Sequence, residues 1–257
     1  MNVLITGAES RLGKAIAEVL APDHRLRLWS SNSHPPEDPG ESAEWFAGDM
    51  RDPDTAWNAM RGIRAVIHTG EAPTDLPEND LAKEQELLDL ATRGTHVLFQ
   101  AGVAAGVKKF VYGSTLKVFE SYPDDVYISE MWKPEPSPEM FEMTRYLGEF
   151  VCREFARDNL ITATTLRLGK LVSEDEVVGE KPDLMWLDYR DAAQAFSVAL
   201  RRDDSTNTRV TKRFLLFHVC ARIPNAKYLV GAAQGFRLNG FAPQHIFEGN
   251  WSQGGGS

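Results

Sequence analysis

The stretch Thr6-Gly7-Ala8-Glu9-Ser10-Arg11-Leu12-Gly13 has the residues to hold an anion. Val3 to Thr6 ahead of it read as a strand buried on both faces. After it, Leu12, Ile16 and Leu20 fall on one helical face, and Gly7 and Gly13 bracket a tight turn. In that arrangement the first N–H groups of the helix, and its positive dipole end, face a pyrophosphate, as in dinucleotide sites. One glycine of the usual fingerprint is missing, and an ordinary strand–turn–helix connection is the competing reading. A second strand ends in Ser30-Ser31-Asn32, where an NAD-preferring site carries an acid for the ribose hydroxyls. These small residues leave room for a 2′-phosphate. Arg11 could reach it or stand as a solvated cation, so the reading leans to NADP over NAD. Asp49, after Gly48, could accept from an adenine amino group or cap the helix near Pro53. Gly70 ends a further strand, where it lets the backbone approach a cofactor closely. His68 beside it reads as a packed histidine. Ser114 and Thr115 put two hydroxyls at the end of the fifth strand.

The elements that must position these residues alternate. Strands are expected at His24–Trp29, Glu44–Asp49, Ala65–Gly70, Val107–Thr115 and Ile161–Leu168, with a late one within 213–219. Helices are expected from Pro53, over 80–106 with Gly94 inside, over 137–159 capped by Ser137, and up to Leu200. Loops fall at 33–44 and 71–79, and the proline-rich run 120–138 is expected over the site. Strand–helix alternation implies an α/β, doubly wound parallel sheet. The expected division is a dinucleotide-binding core over 1–171, a small substrate-side annex over 172–249, and a flexible tail over 250–257. Trp186, Tyr189, Arg190 and Arg222 are candidates for the annex's pocket.

The 257 residues are 42% hydrophobic and carry a net charge of −9, which speaks against nucleic acid or an anionic membrane as partner. Cys152 and Cys220 form no metal-binding or disulfide pattern, and the six histidines are scattered, so no metal is expected. No leader or spanning run is evident, and a cytoplasmic protein is expected.

With these elements placed, the chain resembles the extended short-chain dehydrogenases/reductases, the NAD-dependent epimerases and dehydratases. The resemblance rests on Thr6-Gly7…Gly13, Gly48-Asp49, His68-Thr69-Gly70, Gly94-Thr95, Ser114-Thr115 and Gly148-Glu149. It continues with Leu166-Arg167-Leu168-Gly169, Leu187-Asp-Tyr-Arg-Asp191 and Gly240-Phe241-Ala-Pro243. Length and ending look most like the uronate dehydrogenase-like branch. The resemblance implies a Rossmann fold, a sugar or related carbonyl compound as substrate or ligand, and a homodimer through helices 80–106 and 137–159. It also implies cofactor contacts from Gly7, Ser10, Arg11, Leu12 and Gly13. Ser30, Asp49, Met50, His68, Thr69, Gly70 and Arg145 complete that set.

Family members move a proton with Tyr-x-x-x-Lys and orient the substrate with a hydroxyl at the end of strand five. Here Thr115 matches the hydroxyl, Phe141 the tyrosine and Arg145 the lysine. Positions 141 and 145 share a helical face, so the placement is kept while the titratable proton is lost. Tyr146 points about 100° away around the helix. Ala91 stands for the family's asparagine, and Ser10 for the middle glycine. The leading expectation is a dinucleotide-binding protein with reduced or lost proton transfer, acting in binding, sensing or structure. The alternative is an active oxidoreductase or epimerase using Thr115 and another donor: Tyr112, Tyr122, Tyr127, Glu142 or water. A third is an interaction protein whose cofactor site has been emptied.

Overall fold

Val3, Leu4 and Ile5 are fully buried in β1 (Asn2–Thr6), and Leu12, Ile16 and Leu20 form the buried stripe of α1 (Arg11–Leu20). The chain continues through β2 (Arg25–Ser30), β3 (Ala43–Ala47), α2 (Pro53–Ala59) and β4 (Ala65–His68). The structure is a computed structural model, and the residues it describes are 1–31, 41–73, 75–224, 226–228, 238 and 240–251. Most of the loop expected at 33–44, and the tail beyond Trp251, therefore lie outside the described residues.

The helix expected over 80–106 is three segments: α3 (Asp80–Asp89), a π-helical turn (Leu90–Gly94) and α4 (Thr95–Ala104). Then come β5 (Lys109–Thr115), α5 (Met140–Asp158) and β6 (Thr162–Leu168). Helix α5 starts later than expected. The amide of Ser137 is taken by Glu142 Oε2 at 2.8 Å, and among the described residues Ser137 Oγ accepts only from Glu139 N, so Ser137 lies before the helix instead of capping it.

From residue 170 a small parallel pair, β7 (Lys170–Val172) and β8 (Trp186–Asp188), leads into α6 (Tyr189–Arg201) and then β9 (Phe214–Val219). Strand β9 pairs with β6, so the main sheet continues past residue 171. That sheet has seven strands, all parallel, in the order β3-β2-β1-β4-β5-β6-β9. It is an α/β Rossmann-like fold. Helices α1 and α6 cover one face through Leu12, Ile16 and Phe196. The other face packs α2, α4 and α5 through Met60, Leu98 and Cys152.

The chain winds outward from β1 to β3, then returns to place β4 on the other side of β1. At that reversal neighbouring loops part in opposite directions, leaving a crevice at the strands' carboxyl ends. Among the described residues no helix is long and apolar enough to cross a membrane.

Candidate functional site

A cavity of about 290 Å³ opens in that crevice. Its wall includes Gly7, Ser30, Asp49, Met50, His68 and Gly70 from the expected cofactor residues, with Phe141 and Arg145 from α5. Ser10, Arg11, Leu12, Gly13, Thr69 and Thr115 stand outside the wall.

The glycine corner is tight. Gly7 has φ 63°, and a Cβ there would come within 2.5 Å of Thr69 Oγ1. A Cβ on Gly13 would strike Gly7 O and lie 2.7 Å from Ala8 Cα, so this glycine lets α1 close onto the strand. Ser10 is the N-cap of α1. Its Oγ accepts from Gly13 N at 2.9 Å and donates to Gly7 O at 2.7 Å. The hydroxyl that stands in place of the missing glycine is thus used by the turn itself.

Arg11 does not reach the end of β2, where the NADP reading placed it. Its guanidinium donates to Glu176 at 2.7 and 2.8 Å and to Ser173 at 2.5 Å, and lies 4.4 Å from the Tyr189 ring. A carboxylate partner in the 173–189 segment outcompetes open solvent. Glu9 reaches the end of β2 instead, hydrogen-bonded with Ser30, and burial pushes its carboxyl pKa up.

Asp49 does not cap α2; Asp52 does, accepting from Thr55 N at 2.6 Å. Asp49 is clasped by Arg51, whose side chain donates to it at 2.9–3.0 Å and also reaches Glu86 at 2.7 Å. Its carboxylate is therefore already engaged by a cation. Met50 packs by Gly94, where a Cβ would lie 3.1 Å from Met50 Cγ.

His68 is buried, its ring nitrogens 2.7 Å from Thr6 Oγ1 and 3.0 Å from Thr95 Oγ1. Burial, reinforced by the charge of Arg145, pushes its pKa down to about 3. It is a neutral tie between β1, β4 and α4.

Arg145 is almost fully buried. Nη1 donates to Thr69 O at 2.8 Å and Gly113 O at 3.2 Å, and Nη2 to Glu71 Oε1 at 2.8 Å. Glu71, which also lines the cavity, was not singled out in the sequence. Nothing local marks it, since it meets Arg145 from 74 residues away. Phe141 is 51% exposed and its ring lies 5.2 Å from the guanidinium. The place of the proton donor on α5 thus carries an apolar ring.

Thr115 is buried, its Oγ1 accepting from Lys117 N at 3.2 Å. The alternative donors are engaged or turned outward. Tyr112 OH donates to Arg145 O at 3.2 Å, and burial holds its pKa far above the usual phenol range. Tyr122 OH donates to Lys133 O at 3.0 Å, Glu142 is tied to Ser137, and Tyr127 is 66% exposed. The 120–138 run does not roof the cavity. Tyr122, Val126, Ile128 and Trp132 pack with Phe119 and Tyr228, because that apolar cluster offers more burial than open solvent over the cavity mouth. Trp186 is core, 5.1 Å from the Phe247 ring. Among the described residues no group of three or more His, Cys, Asp or Glu could hold a metal ion.

Residues 3–185 match the profile of a family described as NAD dependent epimerase/dehydratase. An NAD-dependent glucose-6-phosphate dehydrogenase of Haloferax volcanii is 28% identical over 216 residues, 78% of this chain and 80% of that protein. A uronate dehydrogenase of Pseudomonas syringae pv. tomato is 24% identical, covering 81% of this chain and 73% of its own. Among solved structures, a point variant of uronate dehydrogenase from Agrobacterium tumefaciens, complexed with NAD, superposes with a TM-score of 0.79 at 18% identity. It covers 98% of this chain and 88% of its own.

Proposed function

The chain belongs to the NAD dependent epimerase/dehydratase family, and from that premise we propose that it binds a nicotinamide dinucleotide in the β1–β5 crevice with its proton-transfer chemistry reduced or lost. Its role is then that of a binding, sensing or structural protein whose ligand is the dinucleotide. The observation that carries this reading is the state of Arg145. The cation at the family's lysine position is fixed to two backbone carbonyls and Glu71, and its neighbour one turn earlier is Phe141.

The residues fit a dinucleotide. The turn around Gly7 and Gly13 is closed too tightly for a Cβ, and the α1 N-terminus faces the crevice end of β1. A buried Glu9 oxygen has no hydrogen-bond partner among the described residues. Gly7, Ser30 and Gly70, which line the cavity, would hold the two nucleotide halves. When bound, a nicotinamide ring supplies hydride transfer. The protein's own share would be to move the substrate's hydroxyl proton, but position 141 carries no titratable group, and Thr115, the match to the substrate-orienting hydroxyl, stands outside the cavity wall.

A second reading keeps turnover on a sugar or related carbonyl compound. What favours it is Glu71, a carboxylate on the cavity wall whose side chain is 29% exposed and touches Arg145. The relatives that are sugar dehydrogenases support the same substrate class. A homodimer through α3–α4 and α5 belongs to either reading. Leu81, Leu88 and Phe150 are exposed on those helices, and native mass measurement tests it.

Turnover assays with NAD⁺ and NADP⁺ on a panel of uronates and aldoses decide between the two readings. The proposal expects binding without turnover. Turnover that Glu71→Gln abolishes would establish the second reading.

A further inference from the structure

We propose that Glu9, backed by Asp75, replaces the acid missing from the end of β2 and makes the crevice select NAD(H) over NADP(H). The inference rests on the reading that this cavity holds a dinucleotide. The turn from β1 into α1 crosses the end of β2, where Ala8 N reaches Trp29 O at 3.4 Å. Glu9, next along that turn, brings its carboxylate to Ser30. From the other side, the segment after β4 brings Asp75 to the same place, and Ser31 Oγ donates to Asp75 Oδ1 at 3.1 Å. Glu9, Ser30, Ser31 and Asp75 all line the cavity.

Two carboxylates at this position suit a ribose diol, which offers two hydroxyl donors. A 2′-phosphate brings about −1.5 to −2 charges and acceptor oxygens only. Glu9 Oε2 is buried and has no hydrogen-bond partner among the described residues, a costly state that a ribose hydroxyl would relieve. The cation that would have offset a 2′-phosphate, Arg11, is turned away from the end of β2 toward Glu176 and Ser173. Arg51, on the adenine side, is committed to Asp49, Glu86 and Asp89. The specificity acid has moved from strand two into the glycine turn, so inspection of the strand end alone misses it.

Calorimetric titration of NADH and NADPH into wild-type protein and into Glu9→Gln, Asp75→Asn and the double variant tests this, with circular dichroism confirming that each variant folds. Wild type is expected to bind NADH at least about tenfold tighter than NADPH, a difference of about 1.4 kcal/mol. In the double variant that ratio should fall to about threefold or less, chiefly because NADPH binds more tightly. Equal affinities in wild type, or a ratio the double variant leaves intact, would overturn the inference while leaving dinucleotide binding in place. Binding of neither nucleotide would overturn the functional reading and this inference together.

Discussion

Arg145 and Gly70 are a matched pair. A Cβ on Gly70, whose φ is 70°, would strike the Arg145 guanidinium and lie 2.8 Å from Gly113 O. A guanidinium is broader than an ammonium, and it fits between two strand ends here because residue 70 has no side chain. Once seated, it is held by three acceptors and is not available as a mobile charge. Phe141→Tyr alone should therefore add little turnover, since the guanidinium 5.2 Å from this position is paired with Glu71, whose negative charge offsets its pull on a phenol's pKa. Phe141→Tyr with Arg145→Lys should bring turnover on a uronate panel to at least about tenfold above the assay background, part of the about 10²–10⁴-fold that general acid catalysis supplies. Steady-state assays of the single and double variants check this. The exchange at 141 and 145 was legible because four-residue spacing on a helix fixes a shared face. Glu71 was not, because a contact between distant segments leaves no periodic trace. Nor was Ser10's cap legible, because a serine in a glycine-rich turn reads equally well as a phosphate donor.

Helix α5 carries a second buried cation–carboxylate contact deeper along its length. Glu149 accepts from Arg167 Nε at 2.8 Å and Nη2 at 2.7 Å, and from Ser114 Oγ at 2.5 Å. This pins α5 to the ends of β5 and β6, and with it the register of Phe141 and Arg145 along the crevice. Both side chains are nearly fully buried. Glu149→Gln leaves an uncompensated buried guanidinium and should cost about 3–5 kcal/mol. At this chain length that lowers Tm by about 10 °C, measurable by scanning calorimetry. Replacing both partners with apolar residues should recover most of the loss. The π-helical turn over Leu90–Gly94 interrupts the helix that α5 packs against, and it carries Leu90 and Ala91 to the cavity wall. Apolar spacing marked one continuous helix there. One extra residue in a turn shifts the buried face without breaking the run of apolar positions, so the sequence pattern does not reveal it.

At the scale of the whole molecule, buried neutral groups set the response to acid. His68 and His218 both lie in the interior, and burial pushes each pKa down to about 3, below the unfolded value near 6.5. The unfolded chain then binds protons that the folded one refuses. Their contribution to stability is fully present above about pH 6.5 and is lost as pH falls from there toward 3. By pH 5 each histidine should have cost about 2 kcal/mol. Urea unfolding at pH 7 and pH 5 checks this: His218→Phe, packed between Phe119 and Tyr228, should show a smaller drop than wild type. The sheet was legible to this scale because alternating strands and helices admit few arrangements, and β1 announces the crevice at its own end. The stretch beyond residue 171 was harder to read. Its short strands β7 and β8 and the late strand β9 have little periodicity of their own and are defined by what they pair with. Function at this scale rests on the crevice at the reversal of strand order. The most direct test is calorimetric titration of NADH into purified, nucleotide-free protein. Saturable binding at micromolar affinity is the expected result. No binding at millimolar NADH would contradict the claim that this crevice is a dinucleotide site.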